Sequence, residues 1–118
     1  MDYKPGLHIL LTITTNDKNK LCQLKSWSNF IDLLIKEHDL NCLGSVEHSF
    51  ESSGGFTAVH CLTESHLSIH TWPEFNVCTC DVFLSNFMKD NSGKVKAISH
   101  SIINYFESSQ FEIKEILR

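Results

Sequence analysis

Between Cys42 and Leu84 four strand-like segments follow one another with only short breaks, and this crowding constrains the fold more than any other feature of the chain. Connections of hairpin length pair neighbouring strands antiparallel. The first segment runs from Cys42 to Phe50 and the second from Phe56 to Leu62, with Ser52-Ser53-Gly54-Gly55 supplying the turn chemistry between them. His66 to Trp72 and Phe75 to Leu84 follow, parted by Trp72-Pro73-Glu74. An earlier strand is predicted from Gly6 to Thr15. Its period-two alternation sets Leu7, Ile9, Leu11 and Ile13 on one face, as core, and His8, Leu10, Thr12 and Thr14 on the other. Next, Leu21, Leu24, Trp27, Phe30, Leu33, Leu34 and Ile35 recur at helical spacing through Lys36, with Asn16 or Asp17 as the cap. Asp90-Asn91-Ser92-Gly93 is a polar break, after which Val95, Ile98, Ile102, Ile103 and Phe106 predict a second helix. Phe111, Ile113 and Ile116 suggest a short last strand. The order β-α-β-β-β-β-α-β implies an α+β two-layer sandwich, an antiparallel sheet with two helices packed on one face.

With 118 residues and no repeat or linker, the chain reads as a single domain over residues 1–118. Its 10 Lys and Arg against 14 Asp and Glu give a net charge of -4, which lacks the basic excess of a phosphate-binding surface, so nucleic acid is not an expected partner. The apolar runs, such as Leu7 to Leu11 broken by His8, fall far short of the ~20 residues of a membrane span. Met1 to Pro5 does not read as a secretory signal. The cysteines, at 22, 42, 61, 78 and 80, are odd in number and form no disulfide framework. A reducing cytosol is the expected location.

Residues Thr63 to Glu74 crowd titratable and hydroxyl side chains into a strand that needs few of them. An exposed edge would explain this, since His66, Ser68 and His70 share one face and Leu67 and Ile69 the other. A zinc site drawing on His66, His70, Cys78 and Cys80 has suitable ligand types but poor spacing. Two histidines four residues apart on a strand stand roughly 13 Å from each other, too far to share one ion. Cys78 and Cys80 read instead as small buried hydrophobes. No metal is expected.

The run Glu64-Ser65-His66-Leu67-Ser68-Ile69-His70-Thr71-Trp72-Pro73-Glu74 closely resembles the self-cleavage segment of the short, prokaryotic-type S-adenosylmethionine decarboxylase proenzymes. The likeness extends upstream through His48 and Phe50 and through Gly55-Phe56-Thr57, downstream through Asp81-Val82-Phe83, and more weakly to His8. It implies a pyruvoyl enzyme that makes its own cofactor. Ser65 Oγ would attack the carbonyl of Glu64, and β-elimination would leave a covalent pyruvoyl group derived from Ser65, splitting the chain into 1–64 and 65–118. That ketone would form a Schiff base with the substrate amine and accept the electrons left when carbon dioxide departs, with no external cofactor. The resemblance further implies that His70 is the processing histidine, Thr57 an auxiliary hydroxyl, Phe50 the aromatic that stacks on adenine, and Glu74 the carboxylate on the ribose hydroxyls. His66 and Trp72 belong to the motif without an assigned role. His70 lies five residues beyond Ser65, roughly 16 Å along an extended strand, so it cannot easily serve the Ser65 of its own chain. A symmetric homodimer is expected, each site combining Ser65 of one protomer with Thr57, His70, Phe50 and Glu74 of the other.

Two positions depart from the family pattern. The catalytic cysteine that serves as proton donor is replaced by Ser85, although a thiol of pKa about 8.5 is a far better acid than an alkyl hydroxyl. Cys80, an odd number of residues from Ser85, faces the other way unless a bulge intervenes. The acid expected four residues after the first-strand histidine is Thr12. Three readings follow: an S-adenosylmethionine decarboxylase supplying aminopropyl groups for spermidine synthesis, a pyruvoyl-dependent decarboxylase of ornithine or arginine, or an uncleaved, non-catalytic dimeric regulatory homologue.

Overall fold

Alternation along the strands and 3.6-residue periodicity in the helices gather the buried apolar side chains into one core on one side of a single sheet. The computed structural model describes residues 2–118. The chain runs β1 (Leu7–Thr14), α1 (Lys18–Cys22), α2 (Leu24–Glu37), β2 (Cys42–Ser49), β3 (Phe56–Leu62), β4 (Ser65–Trp72), β5 (Val77–Leu84), α3 (Ser92–Tyr105) and β6 (Gln110–Leu117). All pairings are antiparallel and the sheet order is β2-β3-β4-β5-β1-β6. The α+β sandwich is as the sequence predicts. Successive hairpins carry β2 to β5, and β1 enters between β5 and β6.

On the helix side, Leu7, Ile9, Leu11 and Ile13 of β1 meet Ile69 of β4, Val82 of β5 and the buried stripes of α2 and α3, each fully buried side chain contributing about 1.5–3 kcal/mol. Trp27 stacks on Phe106 with centroids 6.0 Å apart, closing the layer between the helices. Among the described residues, the other side of the sheet carries no helix. Among the described residues, no helix is long and apolar enough to cross a membrane.

Three local expectations are corrected. The first predicted helix is two, because Gln23 leaves helical geometry at φ −106° and ψ 80°, and the Thr71 hydroxyl takes the Leu21 carbonyl at 2.7 Å. Asp17 does cap α1, accepting from the Lys20 N–H at 3.3 Å. Within α2, Leu33 faces solvent and Ile31 takes the core position. The strand predicted from Phe75 begins at Val77, because Pro73–Phe75 forms a 3-10 turn that ends on Asn76 in the left-handed region at φ 56°.

One histidine is built into the core. His60 Nε2 accepts the Trp27 indole N–H at 3.1 Å, so Nδ1 carries the proton and donates to Ser45 Oγ at 2.9 Å. A second proton on Nε2 would face another N–H. Burial pushes the imidazole below its ordinary 6.5, against the opposing pull of Glu47 and Asp32. In the interval just under 6.5 the unfolded chain therefore binds more protons than the native one, so stability rises with pH there and is lost on acidification. Denaturation midpoints measured between about pH 5 and 7.5 should fall toward the acid end, and His60→Gln should make that slope shallower.

Candidate active site

A two-residue turn, Thr63-Glu64, joins β3 to β4, with Leu62 paired to Ser65 across it. Glu64 sits in the left-handed region at φ 57°, which costs a side chain with a Cβ about 1 kcal/mol. The half-buried Ser65 follows, and its Oγ accepts the main-chain N–H of Ser85 at 3.1 Å. This contact exists because β4 begins where the adjacent β5 ends, His66 lying opposite Phe83. Glu64, Phe83 and Ser85 line a cleft of about 860 Å³ together with the exposed Phe87 and Met88.

A second group gathers at the opposite end of β4. Thr57 lies opposite His70, and its Oγ1 is hydrogen-bonded to His70 Nδ1. Thr57 Oγ1 also lies 3.3 Å from the Ile69 carbonyl; a hydroxyl proton directed there would let Oγ1 accept Nδ1–H from His70 and leave Nε2 a lone pair, the tautomer a base requires. Trp72 lies 6.2 Å from His70 between ring centroids, and Phe50 packs edge-on to His48 at 4.8 Å. The Phe50–Gly55 turn fits against Thr71 and Pro73 only because Gly55 lacks a Cβ, which would lie 2.8 Å from the Thr71 carbonyl oxygen. That brings Ser52 and Ser53 into one shallow cleft with Glu74, which is exposed on the 3-10 turn. The structure thus brings Glu64 and Ser65 to Ser85, and Thr57 to His70 with Phe50 and Glu74 at the same end. It does not bring the two groups together within one chain.

Between them lies a cluster that sequence reasoning missed. His8 Nε2 is 3.2 Å from Asp81 Oδ1, and Ser68 Oγ donates to Asp81 Oδ2 at 3.1 Å. His66 stands edge-on to His8 at 5.6 Å; burial, then the neighbouring His8, lower its pKa below 6.5. The signal was the cross-strand register pairing Ser68 with Asp81, which period-two alternation alone does not supply. Cys78 and Cys80 are buried on the helix side, opposite to His66 and His70, and burial pushes the Cys80 thiol well up, so it is no source of thiolate for the Ser85 position. Thr12 is exposed on the open side, and its cross-strand neighbour on β6 is Glu112.

An antiparallel sheet backed by helices is also the fold of a decarboxylase already solved. The chain superposes on the crystal structure of the adenosylmethionine decarboxylase from Aquifex aeolicus VF5 with a TM-score of 0.85 and 27% identity, covering 99% of this chain and 92% of that one. The family model for S-adenosylmethionine decarboxylase matches residues 7–118. The S-adenosylmethionine decarboxylase proenzyme of Synechococcus sp. (strain WH7803) is 29% identical over 120 residues, spanning 96% of this chain and 93% of that protein. That of Aquifex aeolicus (strain VF5) is 36% identical over 78 residues, spanning 66% of this chain and 57% of that protein. That of Sulfurihydrogenibium sp. (strain YO3AOP1) is 36% identical over 83 residues, 70% of this chain and 62% of that protein. This chain belongs to the S-adenosylmethionine decarboxylase family of carboxy-lyases.

The left-handed Glu64 gives a direct test of local strain. In a Ser65→Ala background, Glu64→Gly should raise stability to chemical denaturation by up to about 1 kcal/mol, since glycine adopts φ 57° without a Cβ clash. No gain, or a loss, would show that the turn holds no strain at that residue.

Proposed function

We propose that this chain is a proenzyme that cleaves itself between Glu64 and Ser65, into 1–64 and 65–118, and then decarboxylates S-adenosylmethionine. The observation that carries this reading is the Glu64–Ser65 junction: a strained acyl residue is followed by a half-buried serine whose Oγ is held by a main-chain donor. The names of the relatives, all S-adenosylmethionine decarboxylase proenzymes, support both the substrate and the processing. A pyruvoyl group formed from Ser65 would supply an electron-accepting carbonyl for loss of carbon dioxide.

The chain's own residues take up the rest. His70, with Nε2 free, is the base for processing and Thr57 fixes its tautomer. Phe50 stacks on the adenine and Glu74 receives the ribose hydroxyls, two acceptor oxygens for two O–H donors. Ser85, next to Ser65, returns a proton to the substrate carbon. Because Ser65 and His70 stand five residues apart on one strand, roughly 16 Å, a complete site needs two copies. A two-fold axis across the bare sheet face lays the Ser65 end of one protomer on the His70 end of the other, making two equal sites in a symmetric homodimer. The product would feed aminopropyl transfer, hence spermidine synthesis, in the cytosol.

Mass spectrometry of the purified chain under denaturing conditions should show two fragments split before Ser65, the second blocked at its N-terminus. Ser65→Ala should remain whole and folded. Labelled carbon dioxide should come from S-adenosylmethionine; release from ornithine or arginine alone would overturn the substrate. Ser85→Cys should raise turnover several-fold, because a thiol donates a proton far more readily than an alkyl hydroxyl, and unchanged kinetics would remove that side chain from the mechanism.

A further inference from the structure

We infer that the main-chain N–H of Ser85 stabilises the departing oxygen when the Glu64–Ser65 linkage opens, with Asn91 and Asn86 as the residues that position it. This rests on the self-cleavage proposed above. The N–H lies 3.1 Å from Ser65 Oγ in the uncleaved chain, and the fate of that oxygen decides what the contact does. Oγ first attacks the Glu64 carbonyl carbon; the C–N bond breaks, the hydroxyl proton passes to the Ser65 nitrogen, and the amide becomes an ester. The His70 imidazole of the facing copy then removes the Ser65 α-proton. The Cβ–Oγ bond breaks, and its electron pair goes to Oγ, which leaves as one oxygen of the new Glu64 carboxylate. Residue 65 remains as dehydroalanine, whose imine tautomer takes up water and releases ammonia. No oxidant or reductant enters.

Negative charge reaches Oγ only in the second of these steps. During the acyl shift it gathers on the Glu64 carbonyl oxygen instead, and a donor on Oγ gives no help there. A hydrogen bond that is ordinary in the ground state and charge-assisted in the elimination is the differential contact that lowers a barrier.

The surroundings of Ser85 are arranged to hold this donor. Asn91 occupies the N-cap position of α3, where an asparagine side chain ordinarily accepts a first-turn N–H, yet it makes no such bond. Its Nδ2 donates instead to the Ser85 carbonyl at 2.8 Å, and its own N–H donates to Asn86 Oδ1 at 2.7 Å. Asn86 Nδ2 in turn donates to the Pro5 carbonyl at 2.9 Å. Asn91 Oδ1 is left buried without a partner. Asn91 thus directs its side chain to the Ser85 main chain rather than to its own helix. Because the donor belongs to the main chain, the side chain at this position is free to be a hydroxyl without loss of the contact.

The test replaces the Ser85 N–H by an ester oxygen, using the α-hydroxy counterpart of serine in the full chain. Cleavage should slow about a hundredfold, and the chain should accumulate as the ester, which hydroxylamine splits before residue 65 to leave a hydroxamate on Glu64. Asn91→Ala, which keeps every atom of residues 64, 65 and 85, should slow cleavage about tenfold with the same hydroxylamine-sensitive ester. The backbone ester at residue 85 is itself open to hydroxylamine, so scission before residue 65 is the readout; unchanged rates in both variants, or slowing in which the 64–65 amide persists and hydroxylamine opens nothing before residue 65, would overturn the role of the N–H. A wild-type chain that stays whole would overturn the self-cleavage itself, and the wild-type control separates that result from failure of the inference.

Discussion

The pairing of Leu62 with Ser65 across a two-residue turn is the constraint from which the rest of the site follows. A turn that short leaves the chain no freedom to shift register, so Ser65 must be the first residue of β4. Since β4 is bonded to β5 on its other edge, its first residue lies beside the last residues of β5, and Ser65 meets Ser85. The same register sends His70 to the far end of the strand, opposite Thr57. One turn therefore both brings Ser65 to Ser85 and separates that pair from Thr57 and His70.

Packing only one side of the sheet makes the other side available for chemistry. The helix side takes the large apolar side chains of β1, β3, β4 and β5, so the bare side is released from core duty and carries His8, His66, Ser68, His70 and Asp81. These groups are shielded by one another and by Phe83 rather than by a hydrophobic layer, which is enough desolvation to hold the His66 pKa down. A face of this kind is stable because its polar atoms pair across strands, as Ser68 and His8 do with Asp81.

Two local rules are broken beside the proposed cleavage site. Glu64 occupies a backbone region that favours glycine, and Asn91 gives up a helix cap and leaves Oδ1 buried and unpaired. Other positions follow them: Asp17 caps α1, and Gly54 takes the positive φ of its turn. These two departures meet beside the Ser65–Ser85 contact, while Asp39, Asn76 and Glu107 hold positive φ elsewhere in the chain.

The sequence by itself determined the fold class, the core face of β1, the helical stripe of α3 and the motif from Glu64 to Glu74, because alternation, 3.6-residue periodicity and turn chemistry are local and survive without neighbours. The register of β4 was legible well enough to separate Ser65 from His70 by strand length alone. What only the tertiary structure decided is adjacency between strands distant in sequence: β1 inserted between β5 and β6, Asp81 opposite Ser68, Ser85 beside Ser65, and Asn91 turned from α3 to the Ser85 carbonyl. The break at Gln23 belongs with these, since it depends on Thr71 reaching the Leu21 carbonyl from fifty residues away. Such contacts come from which edges pair in the sheet, a choice set by the burial of the whole core and written in no single stretch of the chain.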